Sequence, residues 1–206
     1  RDKLVTGVQT CALPIYSLIG LSTDAVANVD ETLPYLGPHP AFIAAWERDM
    51  SLRDAIALSN VPIYQELARR IGLERMRATL ATLDYGNGET GSAVDRFWLE
   101  GPLAISAIEQ TRFLARLARA RLPLPHDAQA AVQAITLLEQ HGTRKLRGKT
   151  GWQNAPGPGI GWWVGWVEDG GKVYAFALNL DIRTPEDAKQ RLELGRAGLR
   201  TLGVME

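Results

Sequence analysis

The hydrophobic positions repeat with a helical period through the first two thirds of the chain. In 106–120, SAIEQTRFLARLARA, apolar residues recur every third or fourth position, as on one face of an amphipathic helix. Ser51 followed by Asp54, and Pro62 after Ser59-Asn60-Val61, are typical helix starts. The patterns predict helices over 16–29, after Ser51, from Pro62 to Gly72, and over 73–84, 106–120 and 127–140.

The period changes to two in the last third, which is typical of strands. TRKLRGKTGW, GIGWWVGWVE and KVYAFALNLDI predict three strands, and Asp169-Gly170-Gly171 predicts a hairpin turn between the second and third. Pro185 then starts a final helix. We therefore predict an α/β (α+β) fold, in which a helical lobe packs beside an antiparallel sheet followed by a C-terminal helix.

Composition restricts the classes of partner. Lys+Arg and Asp+Glu both number 23, so a net basic charge that would favour nucleic acid is absent, and we expect no nucleic-acid partner. We see no apolar run long enough for a membrane span. A single cysteine, Cys11, and three scattered histidines predict neither an internal disulfide nor a metal site; the histidines are His39, His126 and His141.

The first sixteen residues differ in character from the rest. The chain starts with Arg, and RDKLVTGVQTCALPIY resembles a translated sequencing adaptor. We therefore expect 1–16 to be a non-native prefix, outside fold reasoning, on a truncated chain without its signal peptide. The remainder, 17–206, is expected to be one domain, with the helical lobe over about 17–141 and the sheet plus C-terminal helix over about 142–206.

Four short motifs carry the candidate chemistry, and each has a structural explanation when taken alone. Gly148-Lys149-Thr150 lacks the spacing and the following helix of a phosphate loop, so a strand with a solvated lysine is the simpler interpretation. Ser59 alone predicts a helix cap, Tyr85-Gly86-Asn87 a turn, and Trp98 a buried aromatic residue.

Taken in order, these motifs resemble those of the class D (oxacillinase-type) β-lactamases, within the penicillin-recognising serine enzymes. Ser59 precedes Tyr85 by 26 residues, and Tyr85 precedes Trp98 by 13 and Lys149 by 64, spacings that match the family. The segment DMSLRDAIALSNVPIYQELARRIG is also similar to that family. The resemblance covers about 17–206 and implies the β-lactamase/transpeptidase-like fold, with β-lactam antibiotics as ligands.

The resemblance also implies roles for individual residues. Ser59 would relay a proton to the lactam nitrogen, Lys149 would supply positive potential, and Trp98 would hold the general base. The Trp152 backbone N–H would form one arm of the oxyanion hole. Thr150 and Arg191 would bind the substrate carboxylate, and Gly151 would allow close approach of the substrate. The implied substrate-binding set is Val61, Tyr85, Asn87, Thr150, Gly151 and Arg191.

The chain departs from the family at the nucleophile motif Ser-x-x-Lys. Counting back from Ser17, the serine position falls on Thr10 and the lysine position on Leu13. In the family that lysine carries a carbamate formed from CO2 and acts as the base, whereas Leu13 can neither be carbamylated nor take up a proton. We therefore expect the intact protein to hydrolyse β-lactams. For the present chain we expect no cofactor and little or no turnover.

Three alternatives remain open from the sequence. A penicillin-sensor domain would acylate without turnover. A transpeptidase-like penicillin-binding protein usually has Asn where this chain has Val61. An unrelated α/β protein would have acquired the motifs by coincidence. We further expect a periplasmic or secreted location for the intact protein. We expect its N-terminal strands to be missing from this chain, which would expose a sheet edge and make the chain poorly soluble. We also expect residues 151–161 to form a loop at the mouth of the cleft. A homodimer is left open.

Overall fold

The computed structural model describes residues 5–6, 9–153 and 158–205. The helices are α1 Leu13–Ser22, α2 Leu52–Leu58, α3 Val61–Ile71, α4 Leu73–Leu83, α5 Ala107–Ala118, α6 His126–Ile135 and α7 Pro185–Thr201. Short 3-10 turns lie at Gln9–Ala12 and Ala44–Trp46. The strands are β1 Val5–Thr6, β2 Thr32–Leu33, β3 Met50–Ser51, β4 Ala104–Ile105, β5 Leu137–His141, β6 Arg144–Gln153, β7 Gly159–Asp169 and β8 Lys172–Ile182.

The main sheet has four antiparallel strands in the order β5-β6-β7-β8. The predicted hairpin is present, because Asp169 pairs with Lys172 across Gly170 and Gly171, both at positive φ. Two-stranded pairs form between β1 and β4 and between β2 and β3. The structure thus has the predicted layout of helices beside an antiparallel sheet with a C-terminal helix.

The tryptophans of β7 fill the core on both faces of the sheet. Trp162 and Trp166 belong to the large cluster shared with the helical lobe, whereas Trp163 belongs to a smaller cluster with Leu199 of α7. All three are at most 1% exposed. Because neighbouring strand residues point to opposite faces, this one strand contributes to two cores.

Two predicted helices have the wrong bounds. The first begins at Leu13 and ends at Ser22, instead of covering 16–29. The predicted helix 127–140 ends at Ile135, because the Thr136 hydroxyl donates to the carbonyls of Val132 and Gln133. The chain then forms β5, which pairs with β6 around the turn at Gly142. Strand β5 was missed because LLEQH shows no alternation of apolar and polar residues.

The end of the suspected prefix lies in the core. Residues Cys11 to Ile19 are almost completely buried, and α1 packs against α3 and α6. Residues 11–16 fill the centre of the helical lobe and so belong to the described fold, while the non-native origin of 1–16 stays a prediction. In the described ranges, β5 and β8 are the outer strands of the main sheet.

Candidate active site

Ser59 is held at a tight junction between two helices. It ends α2 in the left-handed conformation, with φ 54° and ψ 39°, which is uncommon for a residue other than glycine. Asn60 then caps α3 by accepting from the Ile63 N–H, and its buried amide donates to the Trp46 carbonyl. The left-handed turn and the cap fix the direction of the Ser59 side chain, which is half-buried.

Lys149 of β6 reaches Ser59 from the sheet. Its Nζ donates to Ser59 Oγ at 2.5 Å and to the Thr150 carbonyl at 3.0 Å. The side chain is only 7% exposed, and burial lowers the pKa of Lys149 to about 8; the charge of Arg191 adds to this effect and Cys11 opposes it. A buried amine with a depressed pKa next to a hydroxyl can exchange a proton with it near neutral pH.

Gly151 allows β6 to approach the turn before α1. A Cβ on Gly151 would lie 3.0 Å from the Cys11 backbone nitrogen and 3.1 Å from its Cβ. We expected a substrate to approach Gly151 closely, but in the structure the Gln9–Ala12 turn lies against this glycine. Thr10, which the motif resemblance relates to the nucleophile position, belongs to this turn. Position 10 therefore lies beside the strand that carries Lys149.

Leu13 of α1 and Trp98 of the loop before β4 are the positions that the motif resemblance relates to the family's base. Both side chains are fully buried, and the Trp98 Nε1 has no hydrogen-bond partner among the described residues. Tyr16, one turn after Leu13 on α1, has its ring 4.5 Å from the Trp98 ring, and its hydroxyl also lacks a partner within the described ranges. An unsatisfied buried donor costs about 1–3 kcal/mol. An aliphatic side chain cannot carry a carbamate, so the residues present do not fit that group.

Arg191 of α7 adds a second cation near Lys149. Its side chain is half-buried, and its Cδ would lie 3.5 Å from a Cβ on Gly161. Its Nε and Nη1 have no hydrogen-bond partner among the residues that the structure describes, and burial lowers its pKa. No carboxylate in the described chain forms an ion pair with Lys149 or Arg191. Two cations without a carboxylate favour an anionic ligand.

The remaining predicted site residues do not contact Ser59 or Lys149 through a hydrogen bond. Tyr85 is buried edge-on against Phe113, with ring centroids 4.9 Å apart. The Asn87 amide donates to the Pro102 carbonyl and its oxygen accepts from the Ala104 N–H, so this side chain holds its own loop. Val61 is the half-buried first residue of α3, and the Trp152 side chain is 37% exposed. Contacts therefore join Ser59 to Lys149, but join neither Tyr85 nor Asn87 to that pair.

The predicted loop over 151–161 is shorter than expected. Residues 151–153 continue β6 and residues 159–161 begin β7, where Gly151 pairs with Trp162 and Trp152 with Gly161. The middle of the expected loop, 154–157, lies outside the described residues.

A cavity of about 350 Å³ reaches Lys149 and Thr150 from the side of β5 and α7. Its other walls are largely apolar and include Ile56, Ala57, Leu138 and Trp163. The sequence patterns did not single out these wall residues, nor Cys11 and Tyr16.

The described ranges show neither a metal site nor a membrane-spanning helix. They contain no group of three or more His, Cys, Asp or Glu side chains placed to hold a metal ion. They also contain no helix that is long and apolar enough to cross a bilayer.

Comparison with known proteins identifies similar domains and folds. A family model described as "Penicillin binding protein transpeptidase domain" matches residues 14–197. In three dimensions, the chain superposes with a TM-score of 0.95 on FUS-1 (OXA-85), a class D β-lactamase from Fusobacterium nucleatum subsp. polymorphum. The two are 40% identical, and the match covers 100% of this chain and 85% of that one. The class D YbXI β-lactamase from Nostoc gives a TM-score of 0.94 at 38% identity, covering 99% and 85% of the two chains.

Curated relatives show the same similarity in sequence. β-Lactamase OXA-5 from Pseudomonas aeruginosa is 36% identical over 192 residues, which are 92% of this chain and 72% of OXA-5. β-Lactamase OXA-48 from Klebsiella pneumoniae is 41% identical over 170 residues, 82% of this chain and 64% of its own length. The chain thus spans between about two thirds and three quarters of these relatives. Both comparisons confirm the fold and the family resemblance.

Proposed function

This chain belongs to the penicillin-binding-protein transpeptidase family and, within it, to the class D serine β-lactamases, and from this premise we propose that its cleft recognises β-lactams. The reaction for which the cleft is built is hydrolysis of the lactam ring through a serine acyl-enzyme. With Thr10 and Leu13 in the nucleophile motif, this chain itself has little or no turnover.

The contact between Lys149 and Ser59, with Arg191 nearby, is the observation that carries the proposal. A β-lactam carboxylate would complete the charge balance of the two cations. Thr150 would donate a hydrogen bond to that carboxylate, and Arg191 would pair with it through two N–H groups. The backbone N–H of Trp152 would face the lactam carbonyl oxygen as it becomes negative. Val61, Tyr85 and Asn87 would form the walls of the same cleft.

The hydroxyl at position 10 would attack the carbonyl carbon, and the ring C–N bond would break. Ser59, hydrogen-bonded to Lys149, is suited to pass a proton to the leaving ring nitrogen. The attacking hydroxyl needs a base, and Leu13 cannot take up its proton. Loss of one member of a nucleophile–base unit costs on the order of 10⁴–10⁶ in turnover.

The test restores the nucleophile motif. The double substitution Thr10→Ser with Leu13→Lys should raise the hydrolysis of nitrocefin by at least about 10⁴-fold over the parent chain. Either single substitution should remain close to the parent rate, because attack needs the hydroxyl and the base together. Adding Lys149→Met to the active double variant should remove most of the gain.

Thermal unfolding of each variant separates loss of chemistry from loss of fold. A folded double variant that neither hydrolyses nitrocefin nor binds benzylpenicillin saturably would overturn the proposed function.

A penicillin-sensor role is the second candidate, because Leu13 leaves no base at that position to activate the water that would release an acyl-enzyme. A sensor would form one covalent adduct per chain and release it slowly. Intact-protein mass spectrometry after incubation with benzylpenicillin distinguishes the two functions, because a hydrolase returns to its free mass within minutes. We also propose a periplasmic or secreted location for the intact protein, where β-lactams meet their targets.

A further inference from the structure

Ser59 and Lys149 have the geometry of a nucleophile and its base. Lys149 Nζ donates a hydrogen bond to Ser59 Oγ, so the two side chains are in direct contact. Serine–lysine pairs of this type activate a hydroxyl in several unrelated hydrolase folds, without histidine. The family resemblance assigns Ser59 a relay of protons for another nucleophile, but in this chain the position of that nucleophile's base is aliphatic.

The two residues differ in exposure in the way that the chemistry requires. Ser59 is half-buried and so partly accessible to solvent, whereas Lys149 is almost completely buried. The left-handed backbone of Ser59 sets its side chain at a sharp turn between α2 and α3. Such strained turns recur at nucleophiles because they present the reactive atom away from the backbone.

The surroundings of Lys149 favour its neutral form. Two ionisable groups face it from other elements, Cys11 from the turn before α1 and Arg191 from α7. Cys11 is buried and its pKa is raised to about 12, so its thiol is neutral near pH 8, and Arg191 repels a second positive charge. Desolvation acts in the same direction as Arg191. A neutral amine can then accept the hydroxyl proton.

We propose that Ser59, activated by Lys149, is itself an acylation site of this chain. The Ser59 Oγ attacks the carbonyl carbon of a β-lactam while its proton moves to Lys149 Nζ. The ring C–N bond breaks and the ring nitrogen takes the proton back from Lys149. The product is an ester on Ser59 that retains the whole mass of the β-lactam. The choice of β-lactam as acyl donor rests on the proposed function, whereas the reactivity of the pair does not.

The experiment therefore uses two probes. A fluorophosphonate needs no carboxylate recognition; Ser59 Oγ bonds to phosphorus, fluoride leaves, and the hydroxyl proton passes through Lys149 to water. We expect one label per chain, located on Ser59 by peptide mapping, with a rate that rises as the pH increases through about 8. Benzylpenicillin should add its full mass to the same residue.

Matched variants test the roles of the two residues. Ser59→Gly suits the left-handed backbone and removes the hydroxyl, and Lys149→Arg keeps the charge but removes the base. Each should slow labelling by at least about 10²-fold, while Ser92→Ala, at an exposed serine, should leave the rate unchanged. Thermal unfolding identifies any variant that fails to fold.

The possible outcomes separate the two proposals. Absence of a fluorophosphonate label on Ser59 in the folded parent chain overturns the acylation site, and so does labelling that Lys149→Arg does not slow. Fluorophosphonate labelling without a benzylpenicillin adduct supports the pair and counts against β-lactam recognition.

Discussion

At the scale of the residue, the buried amine of Lys149 is the group on which the proposed chemistry of the cleft depends. It is buried beside Ser59, and no described carboxylate pairs with it, so its charge costs free energy in the folded protein. Its pKa falls from 10.5 to about 8 for that reason. The same burial that makes the amine a candidate base makes it a source of instability at neutral pH.

The stability of the protein should therefore depend on pH through Lys149. Between about pH 8 and pH 10 the unfolded chain holds a proton that the folded chain has lost, so the free energy of unfolding should rise with pH. Relative to Lys149→Met, the parent chain should gain roughly 1–3 kcal/mol over this range. Urea unfolding at both pH values measures the difference, and subtracting the variant removes contributions from Cys11 and the buried tyrosines.

Lys172→Met, at the exposed end of β8, is the matched control for loss of one charge. A difference between parent and Lys149→Met that stays constant with pH would show that the amine keeps its ordinary pKa.

At the scale of the element, two glycines let β6 and β7 lie close together. Gly148 pairs with Gly165, next to the pair of Lys149 and Val164. A Cβ on Gly148 would lie 2.7 Å from the Val164 carbonyl oxygen, and a Cβ on Gly165 would lie 2.1 Å from that of Arg147. The absence of side chains at this pair therefore sets the spacing of the strand that carries Lys149.

Gly165→Ala should destabilise the protein by at least about 2 kcal/mol, because the clash is with backbone atoms that cannot rotate away. Gly170→Ala is the control, because a Cβ at this position would have no atom within 4 Å. Its only cost is the strain of holding alanine at a positive φ, about 1 kcal/mol. Denaturant unfolding of both variants compares them. Equal costs would mean that the sheet relaxes around the added methyl group.

At the scale of the whole molecule, the start of the chain is part of the fold. Cys11 to Ile19 fill the space between the sheet and the helical lobe, and the Ser17 and Tyr64 hydroxyls are 2.8 Å apart across α1 and α3. Residues 11–16, although they belong to the segment that resembles an adaptor, therefore contribute hydrophobic packing to the core.

Leu13→Ala should cost about 2–5 kcal/mol if Leu13 packs as the structure describes. Leu202→Ala is the matched control, since that leucine is 77% exposed and should change stability by less than about 0.5 kcal/mol. Guanidinium unfolding monitored by tryptophan fluorescence measures both. Equal, small effects would place Leu13 outside the core and return residues 1–16 to the status of a prefix.

The sequence by itself was sufficient for elements whose signals are local. Asn60 before Val61-Pro62, the capping box of Ser106 and Glu109, and the Gly170-Gly171 turn each act within a few residues, so α3, α5 and the last hairpin were predicted close to their bounds. The order and spacing of the motifs around Ser59, Trp98 and Lys149 were sufficient for the family. These features depend on neighbours along the chain or on the linear pattern of residues.

Tertiary structure decided what depends on distant partners. LLEQH became β5 only because β6 is available to pair with it, and residues 11–16 entered the core because β6, α3 and α6 surround them. Ser59 and Lys149 are 90 positions apart, so the sequence could name both but not place their side-chain atoms 2.5 Å apart. The lowered pKa of Lys149 follows from desolvation by the folded chain, which no linear pattern of residues contains.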